Sequence, residues 1–148
     1  MSTATLSKFN FPSACQRKTK MILGMNHFTA VAENPQKTLA FYEGLIGLIK
    51  GPRPDLGFDG AWLYAGPDAG GQAILHLYFD RPAPTPRTGV IDHMAFTAQD
   101  LPAVKARFDT AAYPYTLKRQ TGSGTWQLFC FDPTGARVEL DFAATEMP

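Results

Sequence analysis

Gly24 to Tyr42 reads GMNHFTAVAENPQKTLAFY, and Gly89 to Phe108 reads GVIDHMAFTAQDLPAVKARF. Laid one over the other, the two stretches match from end to end. Each has a Gly, a His three or four residues on, a run of strand formers, a capping Asn or Asp, a Pro, and a helical pattern ending in an aromatic. Asn34 followed by Pro35 predicts a helix start, because the Asn side chain can accept from an orphan N–H and Pro gives up an N–H that has no helical partner. Asp100 plays the same part before Leu101 and Pro102, so each stretch predicts one strand followed by one helix.

The residues after each stretch repeat as well. Beyond the first helix, which should end near Gly47, GPRPDLGFDG reads as loop or sheet edge, and GAWLYAG and QAILHLYF read as strands joined by the turn PDAGG. The second helix leads through YPYTLKRQ to the strands TWQLFCF and ARVELDF, joined by the turn DPTG. The unit is therefore a strand, a helix, and two or three more strands, present twice. The copies span about residues 21–80 and 89–143 of a single domain, 21–148, with the proline-rich RPAPTPRTG marking a linker over 81–88.

The chain has 148 residues, with 14 basic and 13 acidic side chains and a formal net charge of +1. No field of one sign is present to draw in nucleic acid or an anionic membrane, so neither is expected as a partner. Residues 1–20 are acid-free and basic, and they hold no apolar run of signal-peptide or membrane-spanning length. They are expected to form a disordered tail, with an organelle transit peptide as the alternative. Neither Cys15 nor Cys130 has a partner at metal or redox spacing, which points to a reducing, cytoplasmic setting.

The chemistry is concentrated in matched places. The chain has three histidines: His27 and His93 in the first strands of the two copies, and His76 in the last strand of the first. The last strand of the second copy carries Glu139 where the first carries His76. Each of these residues alone reads as a strand-end or half-buried side chain bonded to a neighbour. Together, at equivalent positions, they form a donor set of three imidazoles and a carboxylate if both copies turn these strands toward one cavity. Such a set suits one divalent metal ion per site, namely Zn, Ni, Fe, Co or Mn. Glu139, the only carboxylate of the set, is the candidate catalytic base. Arg137, on the same face, and the aromatics Trp62, Trp126 and Phe129 are the candidate substrate contacts, while Arg53, Lys118 and Arg119 are possible anion binders near the rim.

The two openings and the closing FDPTGARVELDF resemble the vicinal oxygen chelate superfamily, which includes glyoxalase I, methylmalonyl-CoA epimerase, extradiol dioxygenases, fosfomycin-modifying enzymes and bleomycin-resistance proteins. The resemblance runs from Met21 to about Ala143. It implies an α+β fold of two tandem βαβββ modules forming a cup-shaped mixed sheet, with the metal in the cup on His27, His76, His93 and Glu139. His76 departs from the pattern, since the isomerases of this group have Glu or Gln there. The resemblance further implies a homodimer whose cups each combine the first module of one chain with the second of the other, so that His27 and His76 meet the partner's second pair. Three activities are expected on this basis: a metal-dependent lyase or isomerase acting on a small oxygen-chelating keto or hydroxy substrate; a non-haem Fe(II) dioxygenase using His27, His93 and Glu139; and a metal-free small-molecule binding protein. Fosfomycin modification is not expected, because FAATEMP after the last strand lacks the basic residues those enzymes share.

Overall fold

The computed structural model describes residues 24–66, 71–79, 81–85, 89 and 91–148. The expected tail, the turn at 67–70 and part of the linker lie outside the described residues. Among the described residues, eight strands and two helical segments succeed one another in the repeated order. The first module has β1 (Phe28–Val31), α1 (Pro35–Leu39), β2 (Ile49–Gly51), β3 (Gly60–Tyr64) and β4 (Ala73–Tyr78). The second has β5 (Met94–Thr97), α2 (Leu101–Thr110), β6 (Thr116–Arg119), β7 (Trp126–Phe131) and β8 (Arg137–Phe142). The optional extra strand of each unit is thus present in both copies, as β2 in one and β6 in the other.

Both helix starts form for the anticipated reason. The Asn34 side chain accepts from the Lys37 N–H at 3.0 Å, and the Asp100 side chain accepts from the Ala103 N–H at 3.3 Å. Beyond Leu39 the first helix loosens into a π-helical run, Ala40–Ile46. Gly47 ends it at φ +88°, a left-handed conformation that suits glycine, and the Leu48 N–H closes back on the Tyr42 carbonyl at 2.8 Å.

Each module is a four-stranded mixed sheet, ordered β1-β4-β3-β2 and β5-β8-β7-β6. The register tests the repeat independently of any side chain. Parallel pairing sets Thr29 beside His76 in the first sheet and Ala95 beside Glu139 in the second. Thr29 and Ala95 are separated by the same 66 positions (95 − 29) as His27 and His93 (93 − 27). His76 and Glu139 therefore occupy equivalent ladder positions.

Alternation gives each sheet two chemically different faces. One face carries Leu63, Leu75 and Leu77 in the first sheet and Leu128, Val138 and Leu140 in the second, all at most 2% exposed. These faces and the helical residues Tyr42, Leu101 and Phe108 share one core, in which a fully buried Leu contributes about 2 kcal/mol. The opposite faces, turned away from that core, hold the candidate site residues except Trp126.

The closing turn locks the modules together. Asp132, 4% exposed, accepts from the Thr134 N–H at 2.9 Å and the Ala136 N–H at 2.8 Å through one oxygen. Its other oxygen accepts from the Tyr42 hydroxyl of the first module at 3.0 Å. Burial, and then Asp132 itself, push the Tyr42 phenol far above its usual range, so it stays a donor. Asp132→Ala strands three donors and should cost about 3 kcal/mol in urea unfolding, whereas Tyr42→Phe strands one acceptor and should cost about 1–2 kcal/mol. The double variant should cost less than the two added together, because both remove one shared contact. Cys130 sits in the same core, where burial pushes its thiol up to about 12, so it is inert as a nucleophile.

Candidate metal and substrate site

In the first module the outer face gathers His27, His76 and Trp62. The His76 ring is sandwiched between His27, from the β1 side, at 3.8 Å between centroids and 19°, and Trp62 of β3 at 4.3 Å and 7°. Burial first, then the neighbouring His27 and Arg53, hold His76 below the usual histidine range, which favours the neutral imidazole that ligates metals. His27 Nδ1 lies 2.6 Å from the Asn26 Oδ1. An amide oxygen only accepts, so Nδ1 carries the proton and the Nε2 lone pair is available to a cation. The Asn26 backbone carbonyl accepts from the Gln72 side-chain amide at 2.8 Å. A cavity of about 500 Å³ opens over Asn26, His27, Trp62 and His76.

The second module builds the counterpart. His93 Nδ1 donates to the Asp92 Oδ1 at 2.6 Å, and its Nε2 meets the Glu139 Oε2 at 2.6 Å. Glu139 is 3% exposed, and the Gln127 amide donates to its other oxygen. Burial and the adjacent Asp141 raise the Glu139 carboxyl above its usual value against the opposing pull of His93. Arg137 donates to the Asp92 Oδ1 at 2.6 Å and lies 4.5 Å over the Phe129 ring, while the Phe129 and His93 rings meet edge to face at 5.8 Å. The His93 hydrogen bond first, then Arg137, hold Asp92 below the usual carboxylate range. A cavity of about 530 Å³ is lined here by Asp92, Lys118, Phe129, Phe131 and Arg137.

The donors therefore come together in two pairs, His27 with His76 and His93 with Glu139. Among the described residues no group of three or more His, Cys, Asp or Glu is placed to hold a metal ion. The two pairs sit on equivalent outer faces of equivalent sheets, each backed by an aromatic from the neighbouring strand, Trp62 beside His76 and Phe129 beside Glu139. The donor chemistry fits a divalent metal. Asp92 engages the His93 Nδ1, so the His93 Nε2 and the Glu139 carboxylate face one another on the outer face, and imidazole with carboxylate is a ligand pairing that such an ion takes. Each pair alone falls short of the three protein ligands that a catalytic site for such an ion needs.

Trp126 is not brought to this face. It lies with Leu128 and Cys130 on the core side of β7, packed against the core, and its indole N–H donates to the Glu146 carbonyl at 2.9 Å. Sequence reasoning reads Asn26 and Asp92 only as neighbours bonded to strand-end histidines and misses Gln127; all three orient the donors. Their signals are an Asn or Asp directly before each first-strand His, and Gln127 two places before Phe129 in an alternating strand.

A tandem pair of βαβββ sheets with a donor pair on each outer face defines the class. The family model described as Glyoxalase/Bleomycin resistance protein/Dioxygenase superfamily matches residues 24–140, and the chain belongs to that superfamily. A curated relative, "Glyoxylase I 4" of Arabidopsis thaliana, is 26% identical over 126 residues, covering 80% of this chain and 70% of the relative. The lactoylglutathione lyase of Agrobacterium tumefaciens has a similar fold, with a TM-score of 0.60 at 22% identity over 84% of this chain and 97% of that one. A glyoxalase/dioxygenase from Nostoc punctiforme superposes with a TM-score of 0.69 at 15% identity, over 89% of this chain and 99% of the other. No helix among the described residues is long and apolar enough to cross a membrane.

Proposed function

We propose that this protein is a divalent-metal-dependent lyase or isomerase of the glyoxalase class, acting in the cytoplasm on a small substrate that presents chelating oxygens. The observation that carries the reading is the pair of matched half-sets: His27 with His76, and His93 with a Glu139 that is 3% exposed and held by Gln127. In a homodimer that sets the first module of one chain against the second of its partner, the two half-sets make a three-imidazole, one-carboxylate site. His27, His76, His93 and Glu139 would hold the ion, which supplies electrophilic stabilisation of negative charge developing on a substrate oxygen. Asn26 and Asp92 fix which ring nitrogen each histidine offers. Gln127 steadies one Glu139 oxygen, leaving the other to take and return a proton at the carbon next to the carbonyl. Trp62 and Phe129 wall the site.

A second reading, a non-haem Fe(II) dioxygenase with His27, His93 and Glu139 as its triad, draws support from the clamping of His76 between two rings. Elemental analysis of the purified protein, with hemithioacetal isomerisation and oxygen uptake measured on the same sample, separates the readings. The expected result is one divalent metal per site, and turnover without oxygen consumption that stops on chelation and returns with added metal. Iron with substrate-dependent oxygen uptake selects the dioxygenase. A protein that takes up none of Zn, Ni, Fe, Co or Mn is a metal-free binding protein, and the proposal fails.

A further inference from the structure

Two arginines stand on the first module's outer face beyond His76 and are not among the metal donors. Tyr78 is two residues beyond His76 on β4 and projects from the same face, across from Gly60 of β3. The Arg81 guanidinium lies 4.1 Å over the Tyr78 ring and 5.8 Å from the Phe58 ring, and the Arg53 guanidinium lies 4.9 Å over that same Phe58 ring. Phe58 and Tyr78 meet edge to face at 5.1 Å, so two cations converge on one aromatic pair. Arg53 is aimed by a 2.8 Å hydrogen bond to the Phe58 carbonyl. It also fills space that a side chain would take: a Cβ at Gly60 would lie 3.5 Å from two of its nitrogens and would meet the Leu77 carbonyl at 2.3 Å. Among the described residues neither arginine has a carboxylate partner, and the nearby Asp55 carboxylate is turned to the Gly57 N–H at 2.9 Å.

Guanidinium groups stacked on rings keep their N–H donors at the edge, of which Arg53 gives one nitrogen to the Phe58 carbonyl, and like charges set on one ring are costly unless an anion joins them. We infer that Arg53 and Arg81 form an anion subsite for a carboxylate or phosphate group of the substrate. Two residues of strand separate His76 from Tyr78, about 7 Å. The subsite therefore borders the donor face, which sets the substrate class: a small acid that carries an anionic group as well as the chelating oxygens. The subsite deepens the proposed function and rests on it for the identity of the ligand as substrate, although anion binding itself does not.

The test titrates succinate and inorganic phosphate separately into the intact, metal-loaded protein by calorimetry at low ionic strength, with metal content measured on each sample. Wild type is expected to bind at least one of them. Arg53→Ala with Arg81→Ala should weaken that binding at least about tenfold, as loss of charge-assisted hydrogen bonds requires, with metal content unchanged. Arg81 is exposed, so Arg81→Glu gives a charge reversal that leaves the fold intact, and it should act in the same direction. Binding of succinate alone identifies a carboxylate site and of phosphate alone a phosphate site. The inference is overturned if neither anion binds wild type, or if both variants bind as wild type does. A protein without metal whose anion binding still depends on the two arginines keeps this inference and removes the metal-dependent function. Metal retained with arginine-independent binding does the reverse.

Discussion

Mixing two inactive variants, one carrying His27→Ala and His76→Ala and the other His93→Ala and Glu139→Ala, is expected to restore about a quarter of wild-type activity once their subunits exchange. Each variant alone keeps one donor pair per site, too few ligands to retain a catalytic ion. In the mixed dimer, one site combines both damaged modules and the other combines both intact ones. Random exchange makes half of the dimers mixed, and half of the sites in those are whole. The prediction comes from the separation of the donors into two pairs on the outer faces of a chain whose inner faces are spent on a common core. Native mass spectrometry of the mixture shows whether mixed dimers have formed. If they form and activity stays at zero, the site is not shared between subunits in this way.

Much of this arrangement is legible in the sequence because the repeat marks itself at every level. Asn34 and Asp100 cap their helices as their positions before a proline foretell. The equivalence of His76 and Glu139, inferred from spacing, reappears as a shared ladder position, fixed by backbone hydrogen bonds that no side chain dictates. Other features are carried less well. The π-helical run Ala40–Ile46 leaves no mark in an apolar spacing that suits an α-helix as readily. Trp126 is a different case. It and Phe129 lie an odd number of residues apart, so a regular strand cannot show both on one face, and the alternation that sets Phe129 beside Glu139 commits Trp126 to the core. Arg137 reads from sequence as a substrate contact, and in the chain it is tied to Asp92 and stacked on Phe129, where it braces the carboxylate that orients His93. Contacts of that kind depend on how neighbouring strands register, which composition and periodicity do not encode. The same holds for Arg53, whose place over Gly60 is set by a close approach of β3 to β4.

Glu139→Gln is expected to lower kcat by about a hundredfold to ten-thousandfold, the range for loss of a positioned general base, while the protein keeps its metal and its fold. The amide retains a carbonyl oxygen that can ligate and can still accept from Gln127, and its NH2 can donate to the His93 Nε2, whose partner nitrogen is held by Asp92. No buried group is left without a partner, and a desolvated carboxylate is removed, so thermal unfolding of the metal-free variant should not begin earlier than that of wild type. Glu139→Ala differs on each count. It strands the Gln127 amide and the His93 ring nitrogen, and it takes away a ligand, so metal affinity should fall along with turnover. The contrast separates two duties that one residue performs. Retained metal with lost turnover in the Gln variant assigns the proton transfer to Glu139. Full metal-dependent turnover in that variant would leave Glu139 as a ligand alone and move the base elsewhere on the outer faces.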